Sequence, residues 1–324
     1  MTYAIGSRKY ELDEAWGRMP EGVTIFRAAG VAVDGDDRVY VFNRSDHNVI
    51  VFDREGDMIT AWDRDFIEPH AATVDRNSNI YLVDRDTHVI EKFTLDGELL
   101  MTLGNRNQPS DTGGTELGQL VKKIGAPNNK PTGVAVAPDG TIFVSDGYQN
   151  CRVHKYDAEG NLLISWGVPG KVEAGHFHLP HGIGVDNRGR VLVCDRENHR
   201  IQLFSQDGEH LDTWDEVSRP CDVFIGPDGL VYVAELGHKG GLGLAAPTDN
   251  PGIPSMSIWT VDHELVGKWG SDDIFEPGSF FSPHGIAIGP DGSLYVGEVT
   301  VSGDAGRGSF PESYRSIQKF ERVS

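Results

Sequence analysis

The sequence predicts an all-β protein with the architecture of a six-bladed β-propeller. A unit of roughly 40 residues recurs six times along the 324-residue chain, and each unit repeats the same order of strand and turn patterns. No segment of useful length has the hydrophobic period of a helix. Because four short antiparallel strands per unit are typical of propeller blades, we expect residues 1–324 to form one domain of six blades.

Each unit follows one plan. A strand of small residues leads through a turn into an apolar strand that ends in an acidic or amide residue. A third strand of alternating character and a Gly-flanked fourth strand, often ending in Trp, complete the unit. Turns such as 138–140, Pro-Asp-Gly, support this reading because Pro sets the first corner and Gly tolerates a positive φ. The units begin at Gly30, Pro69, Pro131, Pro180, Pro220 and Pro283.

The two ends of the chain predict how the last blade is completed. The sixth unit, 283–324, contains three strand patterns and no fourth one, whereas residues 11–17 near the N-terminus resemble the fourth strand at 162–167. We therefore expect an N-terminal strand, at about residues 10–17, to complete the last blade and so to cover its exposed edge.

Three segments exceed the repeat, at residues 105–130, 237–255 and 300–315. Loops of this length in a compact array are usually functional or disordered. The last two follow second strands, so we expect them on the face where the first strands begin.

Composition and charge narrow the classes of partner. A net charge of −20 argues against nucleic acid and against an anionic membrane surface, but it leaves room for a small-molecule substrate in a locally cationic pocket. There is no apolar run of about 18 residues that would predict a membrane span. Residues 1–16 lack the pattern of an export signal, and the three cysteines lack metal-type spacing, which predicts a cytoplasmic protein. Nothing in the sequence predicts the oligomeric state.

Three histidines occupy one repeat position. His70, His181 and His284 each follow the proline that opens a first strand, and they fall in alternate units. First strands line the centre of a propeller, so this alternation predicts three imidazoles about 120° apart around one axis. Three converging imidazoles with open coordination positions suit a catalytic zinc or another divalent transition metal. The alternative is that each histidine only caps its strand, and the strict alternation favours the metal site.

The intervening units carry other residues at that position. These are Ala29, Thr132 and Cys221.

Each second strand ends in an acidic or amide residue. These are Asn43, Asp84, Asp146, Asp195, Glu235 and Glu298. A recurrent acid after an apolar strand usually accepts hydrogen bonds from loop amides, and we expect this role for the three aspartates. Glu235 and Glu298 are instead candidates for substrate binding, together with Arg85.

The residues just beyond these acids vary, and we expect function there. Arg44, Arg85 and Arg196 predict a pocket for a carboxylate or carbonyl group, because guanidinium groups bind such oxygens well. The alternative for each arginine is a salt bridge to a neighbouring acid. Tyr148 is a candidate general base.

The repeats resemble NHL repeats, as at residues 133–146. Within that class the chain is similar to the peptidyl-α-hydroxyglycine α-amidating lyase family. The resemblance covers the six units and is strongest in the third and fourth. It rests on the segments 41–47, 143–148, 180–181, 195–198 and 200–202, together with Asn150 and Arg152.

The resemblance implies specific roles. His70, His181 and His284 match the family's zinc ligands. Tyr148 matches the catalytic tyrosine of that family. Arg44 and Arg196 match its active-site arginines. In that family a carbinolamide C–N bond breaks to give an amide and glyoxylate.

Two positions depart from the family pattern. The family has an acid after its third histidine that contributes to a structural calcium site, and this chain has Gly285 there. The family's disulfide cysteine after the catalytic tyrosine corresponds to Gln149. These departures, and the lack of a hydroxylating partner domain in this chain, predict a small-molecule substrate rather than an amidated peptide hormone.

Together these observations predict a metal-dependent lyase that acts on a small hydroxylated amide or a related carboxylated compound. Two alternatives remain. One is a metal-dependent hydrolase of lactonase or amidase type, which would use a metal-bound water in the same pocket. The other is a non-catalytic NHL scaffold that binds a ligand or a protein, because a propeller fold alone does not decide function.

Overall fold

The computed structural model describes residues 2–237, 252–299 and 315–323. The chain divides into two compact units, the first made of Met1–Arg64 and Phe224–Ser324 and the second of Asp65–Val223. Apart from one short 3₁₀ turn at Arg196–Asn198, the regular structure of the described residues is β. Their six main sheets confirm the predicted all-β, six-bladed propeller class.

The second unit contains three four-stranded antiparallel sheets, each built from consecutive strands. Their strands are β7 (Pro69–Val74), β8 (Asn79–Asp84), β9 (Val89–Thr94) and β10 (Leu99–Leu103); β11 (Gly133–Val136), β12 (Ile142–Asp146), β13 (Arg152–Tyr156) and β14 (Leu162–Trp166); and β17 (Pro180–Val185), β18 (Val191–Asp195), β19 (Arg200–Phe204) and β20 (His210–Trp214). A short parallel pair, β15 (Val168–Pro169) and β16 (His176–Phe177), lies between the last two sheets in sequence.

The first unit holds most of the remaining strands. They are β3 (Ala28–Val33), β4 (Val39–Asn43), β5 (Val49–Phe52) and β6 (Met58–Trp62) in one sheet; β21 (Pro220–Ile225), β22 (Val231–Glu235), β23 (Ser255–Trp259) and β24 (Leu265–Gly270) in the next; and β25 (Pro283–Ile288), β26 (Leu294–Glu298) and β27 (Ile317–Arg322) with β1 (Thr2–Ile5) and β2 (Arg8–Leu12) in the last. The opening residues of β21 belong to the second unit.

The N-terminus supplies the outer strands of this last sheet. β2 pairs antiparallel with β27, and β1 adds a fifth strand beyond it. The strand bounds differ from the predicted 10–17 because the chain leaves the sheet after Leu12. The indole of Trp16 then packs 5.0 Å from the ring of Phe52 and 5.3 Å from that of Tyr295, between centroids, instead of continuing along β27.

The first two strands of each sheet form an antiparallel hairpin with a recurrent register. Pro69 is opposite Asp84, Pro180 is opposite Asp195, and Pro283 is opposite Glu298. The register therefore places each Pro-His beside the acid that ends the second strand. In the second unit, β11 also contacts both β7 and β17, so that the first strands of its three sheets are neighbours.

Apolar side chains from neighbouring sheets form the cores of each unit. In the second unit, one cluster includes Phe143, Val153 and Val193, and another includes Tyr81 and Val144, all of them fully buried or nearly so. Among the described residues, no helix is long and apolar enough to cross a membrane.

One of the three long loops can be described in full. In the 105–130 segment, the backbone N–H of Asn129 donates to the Asp146 carboxylate, and that of Gly125 donates to Asn150. The loop is therefore fixed to the acid that ends a second strand. The predicted positions of the other two loops, 237–255 and 300–315, fall mostly outside the described residues.

Candidate active site

Two of the three predicted metal ligands lie in the second unit, and both are held in the same way. His70 Nδ1 is 2.7 Å from the carbonyl oxygen of Thr132, and His181 Nδ1 is 2.7 Å from that of Cys221. A carbonyl oxygen can only accept, so Nδ1 carries the proton in both rings, and Nε2 carries the lone pair of the neutral imidazole. Such a second-shell hydrogen bond fixes the tautomer and the orientation of a metal-binding histidine.

His284, in the first unit, repeats this arrangement. Its Nδ1 is 2.7 Å from the carbonyl oxygen of Ala29. All three acceptors are therefore the residues that occupy the histidine position in the intervening repeats. The alternation seen in the sequence has a physical basis, because each even-numbered repeat supplies an imidazole and the following odd-numbered repeat supplies the carbonyl that orients it.

Tyr148 joins the two histidines of the second unit. The ring centroids of His70 and His181 are 4.8 Å apart, and that of Tyr148 is 5.4 Å from His70 and 5.8 Å from His181. The Tyr148 hydroxyl is 3.5 Å from His70 Nε2. All three side chains are buried, with exposed fractions of 4% or less.

Tyr148 is also flanked by two guanidinium groups. The guanidinium carbon of Arg85 lies 5.1 Å from the centre of the Tyr148 ring and that of Arg196 lies 5.5 Å from it, both within cation–π range. Arg196 Nη1 is 3.4 Å from the Tyr148 hydroxyl. Its Nη2 is buried and has no hydrogen-bond partner among the described residues, which makes it a donor available to an anionic ligand.

Carboxylates neutralise these arginines in part. Arg196 Nε donates to Glu197 Oε1 at 2.9 Å, and Arg85 donates to both carboxylate oxygens of Asp86 at 2.9 and 3.1 Å. Burial is the largest single influence and opposes the charge of Arg85, but the hydrogen bond to Asp86 and the electrostatic interactions with Tyr148, Glu68 and Asp86 together outweigh it, so the pKa of Arg85 is raised. The guanidinium groups beside Tyr148 are thus positively charged.

The acids that end the second strands mostly hold loops. Asp84 accepts from the backbone N–H groups of Ile67 and Glu68 at 2.8 Å. Asp195 accepts from the backbone of His178 and from the side chain of Arg200, each at 2.8 Å. Burial raises the pKa of Asp195 to about 6.

Glu298 and Glu235 have contacts of the same kind. Glu298 Oε2 accepts from the backbone N–H groups of Phe281 and Ser282 at 2.8 and 3.0 Å. Glu235 accepts from the Ser257 hydroxyl at 2.6 Å and forms an ion pair with Lys268. Their predicted role in substrate binding stays a prediction, although these contacts are typical of structural acids.

Arg44 lies in the first unit, directly after β4, and its side chain is half-buried. Its backbone N–H donates to the carbonyl of Arg27 at 3.1 Å. The second unit therefore brings together His70, His181, Tyr148, Arg85 and Arg196, whereas His284, Arg44, Glu235 and Glu298 belong to the first unit.

The position after the third histidine cannot take an acid without rearrangement. A Cβ added at Gly285 would lie 2.6 Å from the carbonyl oxygen of Ala29 and 2.9 Å from Cα of Gly30. That carbonyl is the acceptor that orients His284. Glycine is therefore required for the close approach of β25 and β3, and the carboxylate that the resemblance links to a calcium site has no room here.

The donor set suits a transition metal. Among the described residues, His70, His181 and His284 are the group of side chains that could hold a metal ion. Three neutral imidazoles that present Nε2 are typical ligands of zinc and related divalent metals. In the second unit, Tyr148 and two guanidinium groups lie beside His70 and His181, an arrangement that can bind an anionic substrate and move a proton.

Several residues of this site were missed at the level of sequence. They are Asp86, Lys130, Glu197 and Arg219, all within ion-pairing distance of the Arg85 or Arg196 networks. Their positions in the repeat could have indicated them. Each of the two acids follows Arg85 or Arg196, and each of the two cations precedes the proline that opens the next first strand.

Comparisons with known proteins agree with this architecture. The NHL repeat matches residues 128–156 and 177–204. A probable peptidyl-alpha-hydroxyglycine alpha-amidating lyase of Caenorhabditis elegans is 29% identical over 245 residues, which cover 73% of this chain and 63% of that protein. NHL repeat-containing protein 3 of Homo sapiens is 31% identical over 256 residues, which cover 72% of this chain and 70% of that protein.

A solved streptogramin B lyase structure superposes with a TM-score of 0.62 over 99% of this chain and 100% of that chain. At 15% identity this likeness shows the fold alone. The chain spans less than two thirds of the length of the nematode lyase. On its repeats, its fold and these relatives, the chain belongs to the NHL-repeat proteins and, among them, resembles the amidating lyases.

Proposed function

We propose that this protein is a metal-dependent lyase that cleaves the C–N bond of a small hydroxylated amide or a related carboxylated compound. The observation that carries the proposal is the common arrangement of His70, His181 and His284, each with Nδ1 bonded to a backbone carbonyl, together with Tyr148 beside the first two. The similarity to amidating lyases supports the same reaction class.

In this proposal the three histidines hold a divalent metal, with zinc as the first candidate. A bound metal of this kind supplies Lewis-acid polarisation of the reacting oxygen. His70, His181 and His284 would ligate it through Nε2, because the carbonyls of Thr132, Cys221 and Ala29 fix their Nδ1 protons.

The remaining residues bind the substrate and transfer the proton. Tyr148, as its phenolate, takes the proton of the substrate hydroxyl through its Oη, the C–N bond breaks as the C=O bond forms, and the resulting phenol returns the proton to the departing amide nitrogen. The products are an amide and an aldehyde, which balances atoms and charge. Arg196 directs its Nη2 toward the substrate's negative charge, and Arg44 is proposed to share this role.

The setting of the reaction is also part of the proposal. The three cysteines are buried and none is in a disulfide, which agrees with a reducing, cytoplasmic environment. A small-molecule substrate agrees with a net charge of −20, which disfavours polyanionic partners.

The test combines metal analysis with product analysis. The purified protein is expected to contain about one equivalent of a transition metal, and the triple variant with alanine at positions 70, 181 and 284 is expected to lose it. A panel of N-acyl-α-hydroxyglycines is then assayed in ¹⁸O-labelled water, with mass detection of the released amide and aldehyde.

The outcomes separate the three functional classes. A lyase releases an amide that carries no solvent oxygen. Label in an acid product instead indicates the hydrolase, because only hydrolysis adds water across the cleaved bond. Wild-type protein without stoichiometric metal would contradict the proposal and leave the non-catalytic scaffold.

A further inference from the structure

Two groups of three charged residues in the second unit are related by the repeat. In each group an arginine follows the acid that ends a second strand, a carboxylate follows the arginine, and a cation precedes the proline of the next first strand. We call these groups the triads. They are Arg85, Asp86 and Lys130 in one, and Arg196, Glu197 and Arg219 in the other.

Both triads have the same connectivity, with one carboxylate shared between two cations. Asp86 Oδ1 accepts from Arg85 Nε at 2.9 Å and from Lys130 Nζ at 2.6 Å. Burial opposes the charge of Asp86, but the ion pairs to Arg85 and Lys130 outweigh it and lower the pKa of that carboxyl group.

In the second triad the carboxylate is Glu197. Its Oε1 accepts from Arg196 Nε at 2.9 Å and from Arg219 Nη2 at 2.9 Å, while its Oε2 accepts from Arg219 Nε at 3.2 Å. Arg219 thus forms a bidentate ion pair, the geometry that arginine favours. Its side chain is fully buried, with an exposed fraction of 0%.

The inner arginines of both triads lie against Tyr148. Their guanidinium carbons are 5.1 Å (Arg85) and 5.5 Å (Arg196) from the centre of its ring. The side chains of the outer cations, Lys130 and Arg219, bond to the shared carboxylates. The backbone carbonyl of Lys130 also accepts from the backbone N–H of Tyr148 at 3.3 Å.

The residue before each of these first-strand prolines has the same backbone conformation in three repeats, but its side chain is charged in only two of them. Lys130 and Arg219 have left-handed φ angles of 64° and 50°, and Leu179, the equivalent residue between them, has 64°. Such a conformation costs a non-glycine residue free energy, so it persists only where surrounding structure enforces it. Because Leu179 adopts it with an apolar side chain, the turn itself does not require a charged side chain at this position.

We propose that Lys130 and Arg219 are positioning residues that, through Asp86 and Glu197, hold Arg85 and Arg196 against Tyr148. Tyr148 is then flanked by two guanidinium groups, those of Arg85 and Arg196, and each is held in place by its own ion pairs. The consequence for activity rests on the proposed function, in which Tyr148 moves the proton, but the geometric claim does not.

The test compares Arg219→Met and Lys130→Met with Arg190→Met. Arg190 pairs with Asp186 at 2.7 Å at the opposite end of the same β17–β18 hairpin, so its loss removes an ion pair of the same kind away from the site. We expect kcat to fall by roughly 10- to 100-fold in the first two variants, with KM changed by less than about threefold, because small displacements of catalytic groups are costly. The Arg190 variant should keep the wild-type kcat. Equal losses in all three variants, or no loss in the first two, would overturn the proposal.

A double-mutant cycle distinguishes positioning from general destabilisation. If Arg219 acts through Arg196, Arg219→Met in an Arg196→Lys background should cost less than about threefold in kcat, since the residue it positions has already been changed. A loss as large as in the wild-type background would mean that Arg219 acts independently of Arg196.

A measurement without substrate keeps the two proposals separable. In a crystal structure of Arg219→Met, the Arg196 guanidinium is expected to move by more than about 1 Å from the Tyr148 hydroxyl, a displacement large enough to affect catalysis. If the wild-type protein turns over none of the test compounds, the proposed function fails and this structural result still decides the positioning role. An unmoved guanidinium contradicts it.

Discussion

The two units of the chain end their second strands alike and then diverge. In the second unit, the buried Asp84 accepts from two loop amides, and in the first unit the buried Glu298 does the same. The next residue in the second unit is Arg85, which reaches Tyr148. The next residue in the first unit is Val299, an apolar side chain.

One further pair of repeats shows the same contrast, whereas the third pair reverses it, because Asn43 in the first unit is followed by Arg44 and Asp146 in the second by Gly147. Asp195 is followed by Arg196, whereas Glu235 is followed by the buried Leu236. The acid therefore serves the repeat, and the residue after it determines whether that repeat contributes a charged group to a site. In a repeat protein, a charged residue present in every repeat is thus weaker evidence for a functional site. A neighbouring residue that differs between repeats is stronger evidence.

The largest expected effect on activity is that of replacing Tyr148, in the second unit, by Phe. Loss of a general base typically costs 10²- to 10⁴-fold, so we expect kcat to fall by that factor while the metal content is unchanged. The matched control in the first unit is Tyr232→Phe, which removes a buried hydroxyl bonded to Asp228 at 2.9 Å. That control should lower the thermal midpoint and keep kcat. Retained activity in Tyr148→Phe would exclude the tyrosine as the proton carrier.

Much of the fold could be predicted because short local sequence patterns define each repeat. Turn residues and alternating strands are properties of short segments, and six copies reinforce one another. The bounds of the N-terminal strand were less accurate because they depend on Trp16, whose burial against Phe52 and Tyr295 is a tertiary contact that no local pattern contains.

The candidate site divides in the same way. The histidines could be singled out because they recur at one repeat position, and Tyr148 because it lies where the repeats differ. The structure brings His70, His181 and Tyr148 together. The roles of Lys130 and Arg219 as partners of carboxylates could not be predicted, because they connect residues 44 and 22 positions apart through side-chain geometry.

Removing the carboxylate of Glu197 should change how stability depends on pH. Burial alone would raise the pKa of Glu197, but Arg196 and Arg219 outweigh it and lower the pKa from 4.5 to about 2. A carboxyl group whose pKa is lowered on folding stabilises the native state above its unfolded pKa, and this contribution is lost as the pH falls toward the folded value. We expect Glu197→Gln to lower the free energy of unfolding by about 3 kcal/mol at pH 7 and by less than about 1 kcal/mol near pH 2.5.

Urea unfolding at a series of pH values measures this difference. The variant and the wild type should converge as the pH is lowered from 5 to 2.5. A difference that stays constant over this range would show that the ion pairs with the two arginines are not what Glu197 contributes.

The smallest expected effect concerns Glu298, for which the sequence predicts substrate binding and the contacts favour a structural role. In Glu298→Gln the amide oxygen can still accept from the backbone N–H groups of Phe281 and Ser282, but the new NH₂ group faces the side-chain amide of Gln318, which now donates to Glu298 Oε1 at 3.0 Å. Losing one such hydrogen bond should lower the free energy of unfolding by about 1 kcal/mol, with KM unchanged.

Asp84→Asn in the second unit is the companion variant. Its two oxygens accept from different backbone amides, so one amide must lose its acceptor and the cost should be larger, about 2 kcal/mol. Chemical unfolding and steady-state kinetics on both variants measure the two costs. If Glu298→Gln raises KM several-fold while stability is unchanged, the first unit contributes a substrate contact through its second-strand acid, and the contrast between the units fails at that position.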